Sequence, residues 1–375
     1  MRVLYFINAG IMGGRERHVQ TLVKSLPAEE VVPLICAVSG GAATDAMIRD
    51  GLNVQVLGGR NGHDPKSLFR FIRLVRAFKP DIIHAHGNAF LPTSAMRLFP
   101  NIPLIESLHA PTTPDGKARS SMRAAIARFL SALPRRPDYY LPVSQATWDG
   151  FLHYHPSARG EVLYNAISLA DLPAAGRANA LPAKKRVIGM VGRMAEVKDW
   201  PSFVNISAAV MSQDPTVEAW AIGDGPVRDE CERLWFNLAR KNQLDPNRLK
   251  WLGTRQDARE LMAQMSALLI TSHSEQLPTT LLEAMALKIP VVGFLPHGGT
   301  GEILAFAKGT CAMLNAERSV ETAAADVLRV LRDEQLRAQM TAEGERIVRE
   351  HFDMQKICAT QLISIYEKAI RGAFK

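Results

Sequence analysis

The chain has 375 residues, 47% of them hydrophobic, with no low-complexity tract, which suffices for two domains of ordinary size, each with its own core. Its four cysteines, Cys36, Cys231, Cys311 and Cys358, lie far apart without metal-ligand spacing, which argues against a disulfide framework or structural zinc and fits a reducing cytoplasm. The formal charge of +8 sits in the first half, with 20 Lys and Arg against 13 Asp and Glu in residues 1–180 and 25 against 24 in residues 181–375; no aromatic-rich basic groove accompanies it, so nucleic acid is not an expected partner.

The first stretch, RVLYFIN, alternates like a strand and runs into glycines (NAGIMGGRER) instead of a signal-peptide cleavage site. No run approaches the roughly 18 apolar residues of a spanning helix, so a cytoplasmic, non-spanning protein is expected. Gly10, Gly13 and Gly14 precede a helix; they could let backbone approach a phosphate or sugar, or simply form a tight turn, since neither G-x-G-x-x-G nor a P-loop lysine is present. VVPLICAV, NVQVL, DIIHAH, PLIESLH and YYLPVS follow, separated by amphipathic segments, in the βαβ rhythm of a doubly wound parallel sheet that continues to EVLYNAI.

His84 and His86 end the fourth of these strands. Without a third ligand nearby in the sequence, a structural role outweighs a metal pair. His109 ends the fifth, as a loop histidine or a substrate contact with equal support. The segment KARSSMRAAIARFLSALPRR interleaves Lys117, Arg119, Arg123, Arg128, Arg135 and Arg136 with Met122, Ile126, Phe129, Leu130 and Leu133 as a basic amphipathic helix. That pattern suits an anionic membrane surface, or equally a packed helix with a solvated basic face.

The polar, Ala- and Pro-rich interval SLADLPAAGRANALPAKK breaks the period and reads as a linker between domains at 1–175 and 182–354. The rhythm restarts with RVIGMVG, VEAWAIG, LKWLG, ALLITS and IPVVGF, then a run of terminal helices. In such α/β sheets ligands bind at the carboxyl ends of strands, so a cleft between the domains is the default site. Arg193 and Lys198 follow a strand directly, either gathering one anion or standing as solvated cations. Gly223 and Gly225 form another strand-end turn, and Gly298, Gly299 and Gly301 precede a further helix.

In SHSEQLPTTLLEAMALKIPVV, a helix beginning near Pro278 leaves first-turn amides beside Thr279 and Thr280 free to attract an anion. Glu283 interrupts the apolar run Leu281, Leu282, Ala284, Met285, Ala286 and Leu287 eight residues after Glu275. A carboxylate buried there needs hydrogen-bond donors, and ribose hydroxyls would serve.

At these residues the sequence resembles the retaining GT-B glycosyltransferases of family GT4, the bacterial group that includes enzymes of lipopolysaccharide, capsule and exopolysaccharide synthesis. GGRERHV, PDIIHAHG, SLHA, LPVSQAT, VLYNAIS, VGRMAEVKDW, AIGDGP, WLGTRQD and SEQLPTTLLEAMALKIPVVGF occur in the family's order over nearly the whole chain, the last being its E-x7-E motif. The sequence departs from the family at Gln276 and Ala166, where glycine is usual, and at Lys288 and Ile289, where a glycine is frequent.

The resemblance implies two Rossmann-like doubly wound parallel-sheet domains facing across a cleft, the first binding acceptor and the second nucleotide sugar, with a C-terminal helix at 355–375 packing back on the first. Glu275 matches the glutamate that contacts donor-sugar hydroxyls, Glu283 the one that holds the ribose, and Arg193 and Lys198 the pair that neutralises the departing diphosphate. Gly14 matches a loop glycine beside that diphosphate and His109 a histidine beside the transferred sugar; amides around Thr280, Leu281 and Leu282 complete the phosphate cradle. The implied activity is a retaining hexosyl transfer (EC 2.4.1.-) from a UDP- or GDP-sugar to a hydroxyl of a glycan or lipid-linked glycan. No D-x-D occurs, so neither a bridging metal nor another cofactor is expected. Segment 117–136 offers a peripheral contact with the inner face of an anionic membrane. Two alternatives stay open: a nucleotide-sugar epimerase, and a non-catalytic subunit of a polysaccharide assembly complex.

Overall fold

The computed structural model describes residues 1–8, 13–59, 64–87, 89–109, 137–173 and 186–374, so Gly10, the basic segment at 117–136 and most of the linker lie outside the described residues. The chain forms two compact units, Met1–Ala166 with Met354–Lys375, and Ile167–Asp353. Among the described residues no helix is long and apolar enough to cross a membrane.

The first unit is built on β1 (Arg2–Ile7), β2 (Val32–Ala37), β3 (Val54–Val56), β4 (Ile82–His86), β5 (Leu104–Leu108) and β6 (Tyr139–Pro142), all parallel, in the order β3-β2-β1-β4-β5-β6. Central β1 is apolar on both sides because both faces are covered. Val3, Tyr5 and Ile7 pack with Val19 and Leu22 of helix Gly14–Lys24 and with Leu362 and Tyr366 of the C-terminal segment. Leu4 and Phe6 pack on the other side with Phe71 and Val75 of helix Pro65–Phe78. Each such fully buried side chain contributes roughly 1.5–3 kcal/mol. That helix starts where the Asp64 side chain accepts from the Lys66 N–H and stops at Lys79, which takes a left-handed conformation (φ 49°) before Pro80.

EVLYNAI does not extend the sheet. The Glu161 and Leu163 amides donate to the Tyr140 and Pro142 carbonyls, but Pro142 has no N–H to return a bond, so the segment makes isolated bridges instead of a ladder.

The second unit repeats the topology with β7 (Arg186–Val191), β8 (Val217–Ile222), β9 (Leu249–Gly253), β10 (Ala267–Ile270), β12 (Val291–Phe294) and β14 (Ala312–Asn315) in the order β14-β12-β10-β7-β8-β9. A two-stranded pair, β11 (Ser274–Glu275) with β13 (His297–Gly298), stands apart from it. Its core is dominated by Trp200 and Phe203 of helix Trp200–Gln213 against Ile188, Ala219 and Leu269. In both sheets the order reverses beside the first strand, between β1 and β4 and between β7 and β10. The carboxyl ends at such a reversal form the crevice where open α/β sheets hold ligands.

Candidate active site

In the second unit, the segments leaving β7 and β10 carry Arg193, Lys198 and Glu275. Thr271 Oγ1 donates to the backbone carbonyls of Lys198 (3.0 Å) and Asp199 (2.8 Å), so the end of β10 clamps the turn that presents Lys198. Lys198 Nζ pairs with Glu275 Oε1, which also accepts from Ser272 Oγ at 2.7 Å. Arg193 is exposed, ion-paired to no described residue, and placed through its carbonyl, which accepts from Trp200 Nε1 at 3.0 Å.

Asp199 adopts a left-handed conformation (φ 51°) and caps the helix that follows, accepting from Ser202 Oγ at 2.8 Å. Arg318 ties the two segments together: its guanidinium donates to Asp199 Oδ2 (2.6 Å) and to the carbonyls of Thr271 (2.6 Å) and Ser272 (2.9 Å), lying over the Phe294 ring. Gly298 has φ 107°, and a Cβ there would fall 2.2 Å from the Glu275 carbonyl, so glycine is required where β13 lies against the strand bearing Glu275. A Cβ on Gly223 would fall 1.8 Å from the Gly192 carbonyl, so that turn serves backbone approach beside Arg193.

Pro278 is the N-cap of helix Thr279–Ala286. The Leu282 N–H reaches the Pro278 carbonyl at 3.4 Å, which leaves the first-turn amides of Thr279, Thr280 and Leu281 without an intrahelical acceptor. Glu283 is 5% exposed, and among the described residues its donor is Arg259, whose Nε (2.9 Å) and terminal nitrogen (2.8 Å) both meet Oε1. The two carboxylates thus share a feature. Each is held by a cation through one oxygen, and no described residue hydrogen-bonds Oε2 of either.

In the first unit, helix Gly14–Lys24 starts at the reversal between β1 and β4, and a Cβ on Gly14 would meet nothing within 4 Å. His18, on that helix, meets the ring of His109 edge-on at 5.1 Å, and His86 Nδ1 lies 3.0 Å from His109 Nε2. His84 takes a separate path. With Tyr366 donating to Tyr5 (3.0 Å), His84 Nδ1–H donates to Tyr366 (2.6 Å) and its Nε2 accepts from Ser107 (2.8 Å), a satisfied structural histidine.

Burial lowers the His18 pKa to about 4 and, with the nearby His18 charge, that of His84 to about 3. Burial, then the neighbouring histidines and Arg15, hold His86 and His109 well below the usual range. All four rings are therefore neutral near pH 7.

Comparison with known proteins decides the family. The model of Glycosyltransferase Family 4 matches residues 12–171 and that of Glycosyl transferases group 1 matches residues 185–333. The chain belongs to the family 4 glycosyltransferases and has the GT-B fold. This family 4 chain is 23% identical over 381 residues to lipopolysaccharide core biosynthesis glycosyltransferase LpsD of Rhizobium meliloti, covering 99% of each. It is 25% identical over 246 residues to 2-deoxystreptamine N-acetyl-D-glucosaminyltransferase of Streptomyces fradiae, a match covering 60% of this chain and 57% of that relative's length. The crystal structure of Anabaena Alr3699/HepE in complex with UDP superposes with a TM-score of 0.79 at 21% identity, covering 98% of this chain and 100% of that one. A complex of the same protein with UDP-glucose gives 0.77.

Reading the sequence missed Arg259, Asp199 and Arg318 and did not group His18 with His109. Asp199 had a signal, an acidic residue before Trp-Pro at a helix start. Arg259 and Arg318 had none, since their partners lie far away in sequence.

Proposed function

We propose that this glycosyltransferase moves a hexose from a nucleoside diphosphate to a hydroxyl of a glycan or lipid-linked glycan, with retention of anomeric configuration, in cell-surface polysaccharide synthesis. The observation that carries the reading is the pair of carboxylates, Glu275 and Glu283, each anchored by a cation through one oxygen with the other left for a ligand hydroxyl. Glu275 would take sugar hydroxyls and Glu283 the ribose. Full-length likeness to an LpsD lipopolysaccharide enzyme and the UDP and UDP-glucose complexes of Alr3699/HepE support a UDP-sugar as first candidate donor and a glycan as acceptor.

Breaking the sugar C1–O bond places negative charge on the diphosphate. Exposed Arg193, Lys198 and the first-turn amides of Thr280 and Leu281 stabilise that charge more in the transition state than in the ground state. Lys198 can shift from Glu275 to a phosphate at little cost, because both are cation–anion pairs of similar geometry. Leu282 contributes through packing, its amide being engaged by Pro278. In the first unit, neutral His109 contacts the transferred sugar, and the open space over Gly14 admits the diphosphate. With two side-chain cations and a helix end for the leaving group, no bridging metal or other cofactor enters the transfer. The leaving phosphate helps deprotonate the acceptor hydroxyl. The protein acts at the cytoplasmic face of the membrane, where 117–136 meets anionic lipid.

Proton NMR of the chain with UDP-hexoses and a lipid-linked glycan tests this: nucleotide release with a retained anomeric linkage is expected. An inverted linkage refutes the stereochemistry, and free 2-epimerised sugar without glycoside refutes transfer in favour of epimerisation.

A further inference from the structure

The first unit gathers His18, His86 and His109 into one triangle. Ring centroids lie 5.8 Å apart for His18–His86, 5.1 Å for His18–His109 and 5.3 Å for His86–His109. One ring nitrogen of each lies within 4.8 Å of the corresponding atoms of the other two. His86 is fully buried and its Nδ1 faces His109 Nε2, while His18 is nine-tenths buried and its Nδ1 has no hydrogen-bond partner among the described residues. Buried polar atoms in native proteins are nearly always satisfied, so an unpartnered imidazole nitrogen beside two further buried rings points to a missing ligand atom.

We propose that His18, His86 and His109 form a three-imidazole site for a first-row divalent metal of the zinc class. Three neutral nitrogens with no thiolate or carboxylate select zinc, cobalt, nickel or copper over magnesium or calcium. Tetrahedral bonds of about 2.0–2.1 Å require nitrogens about 3.4 Å apart, so His86 and His109, at 3.0 Å, would open slightly and His18 would close in. Each ligand comes from a framed position: His86 from the last residue of β4, His109 from the residue after β5, His18 from the second turn of its helix. His109 is the least buried of the three. Arg15 opposes a cation here, but its ion pair with Glu16 at 2.8 Å offsets its charge. Metal binding itself does not rest on the transfer reading, but the site shares His109 with the proposed sugar contact, so a bound ion would inhibit transfer.

The test titrates the chelator-stripped, full-length chain with Co2+ and follows the visible absorption of tetrahedral cobalt. Saturation at one ion per chain, displacement by Zn2+, and affinity weakened at least about tenfold in His18→Gln are expected. X-ray absorption of the zinc-loaded wild type needs no variant and should show three imidazole nitrogens at about 2.0–2.1 Å. Absence of a saturable tetrahedral spectrum, equal affinity in a folded His18→Gln variant, or an all-oxygen first shell would overturn the proposal.

Discussion

Removing the Arg259 guanidinium isolates a buried charge. Glu283 is 5% exposed, and the only cation paired with it among the described residues is Arg259, both of whose donating nitrogens meet the same oxygen. Breaking a buried pair from one side costs about 3–5 kcal/mol, because the remaining charge keeps its desolvation penalty and loses its attraction. For a unit spanning Ile167–Asp353, that corresponds to roughly 6–20 °C in Tm. Arg259→Ala should therefore show a large loss in urea unfolding. Adding Glu283→Ala should cost far less than the sum of the single changes, with a coupling of about 2 kcal/mol. An Arg259→Ala protein within about 0.5 kcal/mol of wild type, or an additive cycle, would refute the view that this pair is what makes a carboxylate tolerable inside the helix.

Other consequences follow from single residues. Arg318→Ala unties Asp199 from the carbonyls of Thr271 and Ser272 and so loosens Lys198 and Glu275 together; steady-state transfer should fall about tenfold or more in kcat/KM with unchanged circular dichroism, and wild-type kinetics would count against a positioning role. A Cβ at Gly14 has no neighbour within 4 Å, so Gly14→Ala should not lower stability by more than about 0.5 kcal/mol while calorimetric affinity for nucleotide sugar drops; unchanged affinity would remove Gly14 from the site. Burial raises the Glu106 pKa to about 7, above its ordinary value of 4.5, so the folded state binds the extra proton between these values. That contribution to stability is full below pH 4.5 and is lost as pH rises to about 7; unfolding followed across this window should show the decline in wild type and a flatter profile in Glu106→Gln.

Much of the fold was legible because parallel strands covered on both faces leave continuous apolar runs, as in RVLYFI and RVIGMV. β14, AMLN, escaped notice: it is a four-residue edge strand, partly exposed, and the sequence around it reads as terminal helices. EVLYNAI failed in the other direction, being apolar and extended but opposite a proline that cannot complete the ladder. Glu283 announced itself as a charge inside a buried run. Its chain partner did not, because Arg259 sits on another helix and no local spacing encodes an approach made by the fold. The histidines show the same limit: H-x-H is visible as a pair on one strand face, with rings 4.2 Å apart, but only the fold sets His84 beside Tyr366 and Ser107 and His86 beside His109 and a helix residue.

The central claim, a nucleotide-sugar site built on Glu283 and its helix end, is tested most directly by calorimetric titration with UDP, GDP, ADP and their hexose derivatives, wild type against Glu283→Gln. The account predicts saturable one-site binding of one nucleotide series, weakened in the variant by about 1–3 kcal/mol at a temperature where both are folded. Absence of binding by any member, or equal binding by a folded Glu283→Gln protein, would contradict it.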